Sequence, residues 1–435
     1  MDAIQKKILD SIDQNSAHIA DFAQDIYKNG ETGYQEFRTA GKVRAFFDSL
    51  GLPTEEGLAI TGVKATLGGH YKHTVALIGE LDGVRCEKHP DANPINGIAH
   101  ACGHHIQLAA LVGSAIALSD PEVAATLGAN VAFWAVPAEE HVDADVRDKL
   151  IAQGRIRYIT GKGELIRIGE FDGIDAVVVH HVHYAPLEAD VLIGCNSSNG
   201  YVTKNLRILG RASHAAAAPE KGINALNAAA LGFSAVAYQR ETFRDEDRVR
   251  VHGIVEKGGG AVNVVPEEVV VETMVRAKTI QAIKDASEKV DRAFRGAAYA
   301  LGAKVEIKDI PGYLPVIAQP PQRPLREAAE VLGNMVTFEK ADLSGHNPLS
   351  TDVGDLSQLM PVLGFTTGGC TGTLHSPDFR VADLPKTCRL AAKMMALTAY
   401  SLLKNQAEEL KEIRERFHPQ LTKHEYLAYM DGAFQ

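Results

Sequence analysis

The chain has little cysteine and almost no tryptophan, five of the former and one of the latter in 435 residues. Cys86, Cys102, Cys195, Cys370 and Cys388 are odd in number and follow no framework spacing, which excludes a disulfide-stapled secreted scaffold and predicts reduced thiols. No uninterrupted apolar run is long enough to span a bilayer, so no membrane partner is expected. The start, Met1-Asp2-Ala3-Ile4-Gln5, lacks the basic and then apolar layout of a signal peptide, and a cytoplasmic location is the expectation. Dense Lys/Arg runs are missing too. Forty-five basic against fifty-five acidic side chains give a formal charge of -10, which argues against a nucleic-acid partner. Internal repeats and low-complexity segments are absent.

What is present is an ordinary globular composition, 45% hydrophobic and 23% charged. A chain of this length exceeds the usual ceiling for one hydrophobic core, so two domains are expected. Apolar residues recur at helical spacing from about Ile4 to Ser49, as in Ile19, Phe22, Ile26 and Val43, Phe46, Phe47, Leu50. Val63 to Leu67, Thr74 to Ile78, Ala129 to Val136 and Ala176 to Val179 read as strands, with a helix from about Ile106 to Leu118 between them. Strands separated by helices predict an α/β, doubly wound sheet whose ligands collect at the C-terminal strand ends. After about Asn196 the pattern changes. Val202 to Leu209, Arg248 to Glu256 and Val269 to Ala277 are strand-like, and Asn224 to Tyr238 and Thr279 to Leu301 are helical, an α+β layout. Beyond Pro311-Gly312-Tyr313 the chain returns to the first style and ends in a charged helix from about Leu390. The expected organisation is a discontinuous catalytic domain, 1–195 and 313–435, with an inserted lid or dimerisation domain at 196–312. Two consecutive domains are the alternative.

The densest chemistry is His100-Ala101-Cys102-Gly103-His104-His105. A thiolate and neutral imidazoles suit a transition-metal dication, and Gly103 lets the backbone bend so that Cys102 and His104 face one point. A buried structural Cys beside surface histidines is the plainer reading. The strand ending at Val136 runs into Pro137-Ala138-Glu139-Glu140, adjacent carboxylates that repel and need a cation, although solvated Glu-Glu turns are common. Val177-Val178-Val179 ends in His180-His181-Val182-His183, of which one suits a ligand. His375, in Thr371-Gly372-Thr373-Leu374-His375-Ser376-Pro377, reads on its own as a surface residue. Together these positions hold a thiolate, carboxylates and imidazoles sufficient for two metal ions, the set that metal-assisted hydrolysis requires.

The order of His-Ala-Cys-Gly-His, Pro-Ala-Glu-Glu, Asp-Ala-x-x-x-x-His, Gly-Arg-x-x-His-Ala and a late Leu-His-x-Pro resembles the M20 metallopeptidase superfamily in its amidohydrolase and aminoacylase branch. The likeness extends to Glu36-Phe37-Arg38-Thr39 and to Gly258-Gly259-Gly260-Ala261-Val262-Asn263-Val264-Val265-Pro266. Ser350-Thr351-Asp352-Val353-Gly354-Asp355 looks most like aminobenzoyl-glutamate hydrolase subunits. The resemblance implies Cys102, His104, Glu140, His181 and His375 as ligands of two divalent ions, Mn or Zn, with Glu139 as general base. It also implies a homodimer in which His214 reaches the neighbouring subunit's site and steadies the oxyanion, while Asn263 and Arg276 hold a substrate carboxylate. An ordinary strand-edge charge is the plainer reading of Arg276. Three positions depart from the pattern: His105 stands where Asp is usual, Gln107 where another His is common, and Gly79-Glu80-Leu81-Asp82 replaces Ala-Asp-x-Asp. Asp82 remains available to orient His104, whereas Glu80 has no evident role.

The expected function is a metal-dependent amidohydrolase cleaving the C–N bond of an N-acyl or N-aroyl amino acid, with aminobenzoyl-glutamate-like compounds as the best guess. Alternatives are a deaminase of an amino-substituted aromatic acid, a dipeptidase, and a non-catalytic metal-binding subunit. The intact Glu139 argues against the last.

Overall fold

The computed structural model describes residues 1–183, 189–333 and 336–432. Two compact units emerge. The first takes Met1–Asn196, Ile317–Gly345 and Leu356–Thr422, and the second takes Ser197–Val316, His346–Asp355 and the chain from Lys423. In chain order the strands of their main sheets are β1 (Thr54–Leu58), β2 (Gly62–Leu67), β3 (Thr74–Glu80), β4 (Asn130–Val136), β5 (Ala176–Val182), β6 (Val191–Ile193), β7 (Gly200–Leu209), β8 (Arg250–Lys257), β9 (Glu268–Ala277), β10 (Lys304–Pro311), β11 (Phe338–Lys340) and β12 (Val362–Thr367). The principal helices are α1 (Ala3–Gln14), α2 (Ser16–Lys28), α3 (Phe37–Ser49), α4 (His104–Leu118), α5 (Gly161–Ile168), α6 (Ala225–Gln239), α7 (Ile280–Ala300) and α8 (Leu384–Arg416).

The first unit is built on one eight-stranded sheet in the order β1-β2-β4-β3-β5-β12-β6-β11. Its centre, β4-β3-β5-β12, is parallel, and antiparallel pairings flank it on both sides. The sheet is therefore mixed rather than uniformly parallel. Strands β3 and β4 are buried almost throughout, which explains why their sequences are apolar runs without alternation. Register aligns the C-terminal ends of the four central strands, with Glu80 opposite Val136 and Val182 opposite Thr367. Whatever follows these residues is delivered to one edge of the sheet.

Helix α4 is apolar on every side because it is enclosed by α2, α8 and β3. It starts at His104, two residues ahead of the helix expected from Ile106, because Gly103 takes φ +88° at its N-cap. The long helical pattern of residues 4–49 resolves into α1, α2 and α3. Strand β1 escapes sequence reading because it is an edge strand of exposed, largely polar residues. The terminal helix differs from a simple charged helix: it begins at Leu384, is buried through most of its first half, and breaks at Asn405, Gln406 and Ala407, all with positive φ.

The second unit pairs β8-β9-β7-β10 in an antiparallel sheet. Residues alternate along β9 between buried and half-buried, and Val269, Val271 and Val275 join Val202, Leu206 and Ile208 under α6 and α7. Among these apolar neighbours Lys204 is fully buried, with its Nζ 2.7 Å from Asp291 Oδ1 and 2.8 Å from Asp309 Oδ1. Removing one side of a buried ion pair leaves the other uncompensated. Lys204→Ala is expected to lower the unfolding free energy by about 3 kcal/mol or more, read from urea denaturation, and an unchanged midpoint would show that the pair carries no stability.

Candidate metal centre

The parallel strand ends assemble the donor set. Cys102 and His104 come from the turn into α4, Glu139 and Glu140 follow β4, His181 lies near the end of β5, and His375 sits on the loop after β12. Among the described residues, three groups have ligand atoms within 4.8 Å of one another: Cys102, His104 and His181; Cys102, Glu140 and His375; Glu80, His104 and Glu139. Cys102 belongs to two of them, as a thiolate shared by two ions would. The third group adds Glu80, which the sequence left without a role.

Backbone carbonyls aim two of the imidazoles. His104 Nδ1 donates to the Asp82 carbonyl at 2.9 Å, which orients the ring with Nε2 turned toward the carboxylates. That Nε2 is 3.1 Å from Glu80 Oε2, 3.9 Å from Glu139 Oε2 and 3.8 Å from Glu140 Oε1. His181 Nε2 is 3.4 Å from Cys102 Sγ, and its Nδ1 faces the Val182 carbonyl at 2.7 Å. His180, by contrast, faces Thr367 Oγ1 at 2.8 Å, so neighbours along one strand separate into a donor and a packing residue. His375 reaches Glu140 Oε1 at 3.2 Å from a backbone held at φ +59°, with its own N–H bonded to the Ala101 carbonyl. Gly103 has no substitute here, since a Cβ would meet Val182 Cγ2 at 2.4 Å.

The chemistry of the set fits divalent cations. Glu80, Glu139 and His104 are all buried, and His104 Nε2 and Glu140 Oε1 are enclosed without an aligned hydrogen-bond partner. Burial first, and then Glu140, hold the Cys102 thiol well above its usual range, whereas a cation on sulfur deprotonates it outright. Carboxylates packed this closely repel unless positive charge lies among them. Burial pushes the Glu80 carboxyl up, but Lys162, then His104 and His181, outweigh it and bring it down to about 2.

The sequence profile of peptidase family M20/M25/M40 matches residues 76–399. The chain belongs to this family. It is thus a metal-dependent hydrolase acting on C–N bonds. Over 451 residues it is 27% identical to the Xaa-Arg dipeptidase of Mus musculus, covering 98% of this chain and 95% of that protein. It is 26% identical to a p-aminobenzoyl-glutamate hydrolase subunit of Escherichia coli K12, over 72% of this chain and 63% of the relative. The fold matches the Bacillus subtilis YXEP protein, a dinuclear metal binding peptidase from the M20 family, with a TM-score of 0.66 at 21% identity, covering 90% and 99% of the two chains.

Two departures of this M20 chain from the family pattern have structural meaning. Gln107 donates from Nε2 to Glu80 Oε2 at 2.8 Å and accepts the Glu80 N–H at 3.1 Å, so it fixes Glu80 from two sides. His105 stands apart from the donor groups, packed against Tyr27 and His100 with ring centroids 4.9 and 5.6 Å away. In the second unit, His214 is exposed and accepts from the Ala216 and Ala217 N–H groups through Nδ1. The Asn263 carbonyl accepts the Ala215 N–H, which places Asn263 beside the His214 turn. Arg276 donates to Ser350 Oγ at 3.0 Å and lies over the Tyr201 ring.

Glu36 is a positioning residue that sequence chemistry does not reveal. It is fully buried, with Oε1 accepting the Ala138 N–H at 2.8 Å and Oε2 accepting Thr61 Oγ1 at 2.6 Å. Ala138 holds φ +48°, a left-handed conformation costly for a residue with a Cβ, immediately before Glu139. Burial, with Asp82 next, pushes the Glu36 carboxyl up to about 8. A neutral amide should therefore serve in its place. Glu36→Gln is expected to keep stability within about 1 kcal/mol, whereas Glu36→Ala, which orphans both donors, costs about 1–3 kcal/mol in thermal or urea unfolding.

Proposed function

We propose that the chain hydrolyses the amide C–N bond of an N-acyl or N-aroyl amino acid, with aminobenzoyl-glutamate-like compounds as the preferred class. The observation that carries this reading is the pair of donor triads sharing Cys102, with Glu139 beside them. Two divalent ions, Mn or Zn, would be held by Cys102, His104, Glu140, His181 and His375, and when bound they supply a water of lowered pKa and polarise the carbonyl. Glu139, buried yet within 3.9 Å of His104 Nε2, takes the proton of the attacking water and returns it to the leaving nitrogen. Arg276 and Asn263 hold the substrate carboxylate, and His214, acting from a partner subunit, donates to the developing oxyanion.

A homodimer is supported by the second unit's surface. Edge strand β8 leaves Ile254 61% and Val255 42% exposed, and Val262 and Val264 on the loop beside His214 are exposed as well. Unpaired edge strands with apolar side chains are the surfaces that a second copy covers. Five free thiols are consistent with a reducing, cytoplasmic setting.

The Xaa-Arg dipeptidase, matched over nearly the whole chain, favours dipeptide hydrolysis as a second reading. An arginine side chain would need acidic partners. Arg250 instead lies directly opposite Arg276 across β8 and β9, and Lys278 and Arg248 stand close enough to His346 to depress its basicity after burial. Such a basic surface suits a leaving group with a second carboxylate.

Metal-loaded protein assayed by mass spectrometry is expected to release free glutamate from aminobenzoyl-glutamate with a kcat/KM at least ~10-fold above that for Xaa-Arg dipeptides, a difference of about 1.4 kcal/mol. Faster cleavage of Xaa-Arg would select the dipeptidase, and ammonia from amino-substituted aromatic acids with the amides untouched would overturn both. Glu139→Gln should lower kcat by roughly 10²–10⁴-fold while retaining wild-type metal content; undiminished turnover would remove Glu139 as the base.

A further inference from the structure

Lys162 breaks two local rules at once. Its side chain is fully buried, and it is the second residue of α5, where the positive end of the helix dipole disfavours a cation. A buried ammonium persists when a partner of opposite charge is held against it, and Lys162 Nζ lies 2.6 Å from Glu80 Oε1. The other Glu80 oxygen accepts from Gln107 Nε2 and lies 3.1 Å from His104 Nε2, so this one carboxylate connects Lys162 to the donor cluster. Backbone geometry commits the lysine to this place. A Cβ on Gly161 would come within 1.6 Å of the Pro137 carbonyl oxygen, and the Gly161 N–H bonds to the Ala138 carbonyl, so α5 starts in direct contact with the loop that carries Glu139 and Glu140.

The charges explain what the lysine is for. With Cys102 as thiolate, Glu80, Asp82, Glu139 and Glu140 bring the total around His104 to five negative charges, and two divalent ions supply four positive ones. We infer that Lys162 is a charge-balancing and positioning residue of the metal centre, acting through Glu80: it holds Oε1, leaves Oε2 directed at His104, and provides the remaining positive charge. The inference rests on the two-ion reading proposed above. It gives Glu80 the role of a tethered anion whose charge is already matched, so that it stands beside His104 without drawing in a further cation. Without the ammonium the centre carries a surplus negative charge and holds cations more tightly. Without the Glu80 charge the centre has one negative charge fewer beside the same ammonium and holds them less tightly.

The test is metal affinity in the full-length protein, by competition with a chromophoric chelator for Mn and for Zn, with stoichiometry from elemental analysis and folding from near-ultraviolet circular dichroism. Lys162→Met is expected to tighten the apparent dissociation constant roughly tenfold, Glu80→Gln to weaken it roughly tenfold or more, and the double variant to return close to wild type. A merely structural ion pair predicts otherwise: both single changes loosen the site, so weakened binding in each would overturn the inference. If Lys162→Met alone does not fold, the comparison passes to Glu80→Gln against the double variant, where equal affinities are the overturning result and a tenfold recovery the supporting one. Wild-type protein that takes up fewer than two ions would remove the charge count and the two-ion reading together. Two ions with affinities unmoved by any variant would overturn this inference alone.

Discussion

Repulsion among buried anionic groups at the end of a parallel sheet is the constraint around which the first unit is organised. Glu80, Asp82, Glu139 and Glu140 are drawn from the ends of β3 and β4, which register places side by side. Carboxylates brought out of water at these separations are tolerated only when positive charge is interleaved among them. The chain places the Lys162 ammonium against Glu80 and groups Cys102, His104, His181 and His375 where a metal ion could supply further positive charge. Features that are costly in isolation, a lysine buried at a helix N-terminus and an alanine and a histidine with positive φ, all converge on this edge. Strain of that kind persists where surrounding structure over-determines it.

Layering around the donors follows from the same demand. The Asp82 carbonyl orients the His104 ring, and the Asp82 carboxylate accepts the Glu140 N–H at 2.8 Å, so one residue positions two candidate donors. Glu36 and Thr61 hold the Ala138 backbone, and Gln107 holds Glu80. Partners of this sort orient ligands and tune the reactivity of bound water. Of the departures from the pattern, Gln107 holds Glu80, and His105 packs against Tyr27 and His100 away from the donor groups. The ligand atoms themselves remain grouped.

Much of this was legible along the chain. The uniform apolar runs of β3 and β4 announced buried parallel strands, and the thiol, imidazoles and paired carboxylates announced a metal. The family resemblance joined motifs that are weak one at a time: His375, read alone, is a surface residue, and only the loop after β12 carries it to Glu140. Other features were not legible. The edge strand β1 has neither apolar alternation nor β-branched enrichment, because its middle residues Glu55, Glu56 and Gly57 are exposed. The break at Asn405, Gln406 and Ala407 falls in a segment whose composition is ordinary for a helix.

What the sequence by itself determined is therefore the chemistry: which donor types exist, that Glu139 and Glu140 adjoin a strand end, and that Gly103 allows the turn between Cys102 and His104. These are properties of side-chain type and short spacing, and they survive any arrangement of the rest. Only the tertiary structure decided that Glu80 belongs with the donors, and that Lys162 and Glu36, 82 and 44 positions away from Glu80 along the chain, stand behind them. Those decisions depend on strand register and helix packing, through which residues far apart in sequence come within a few ångströms and share one field of charge.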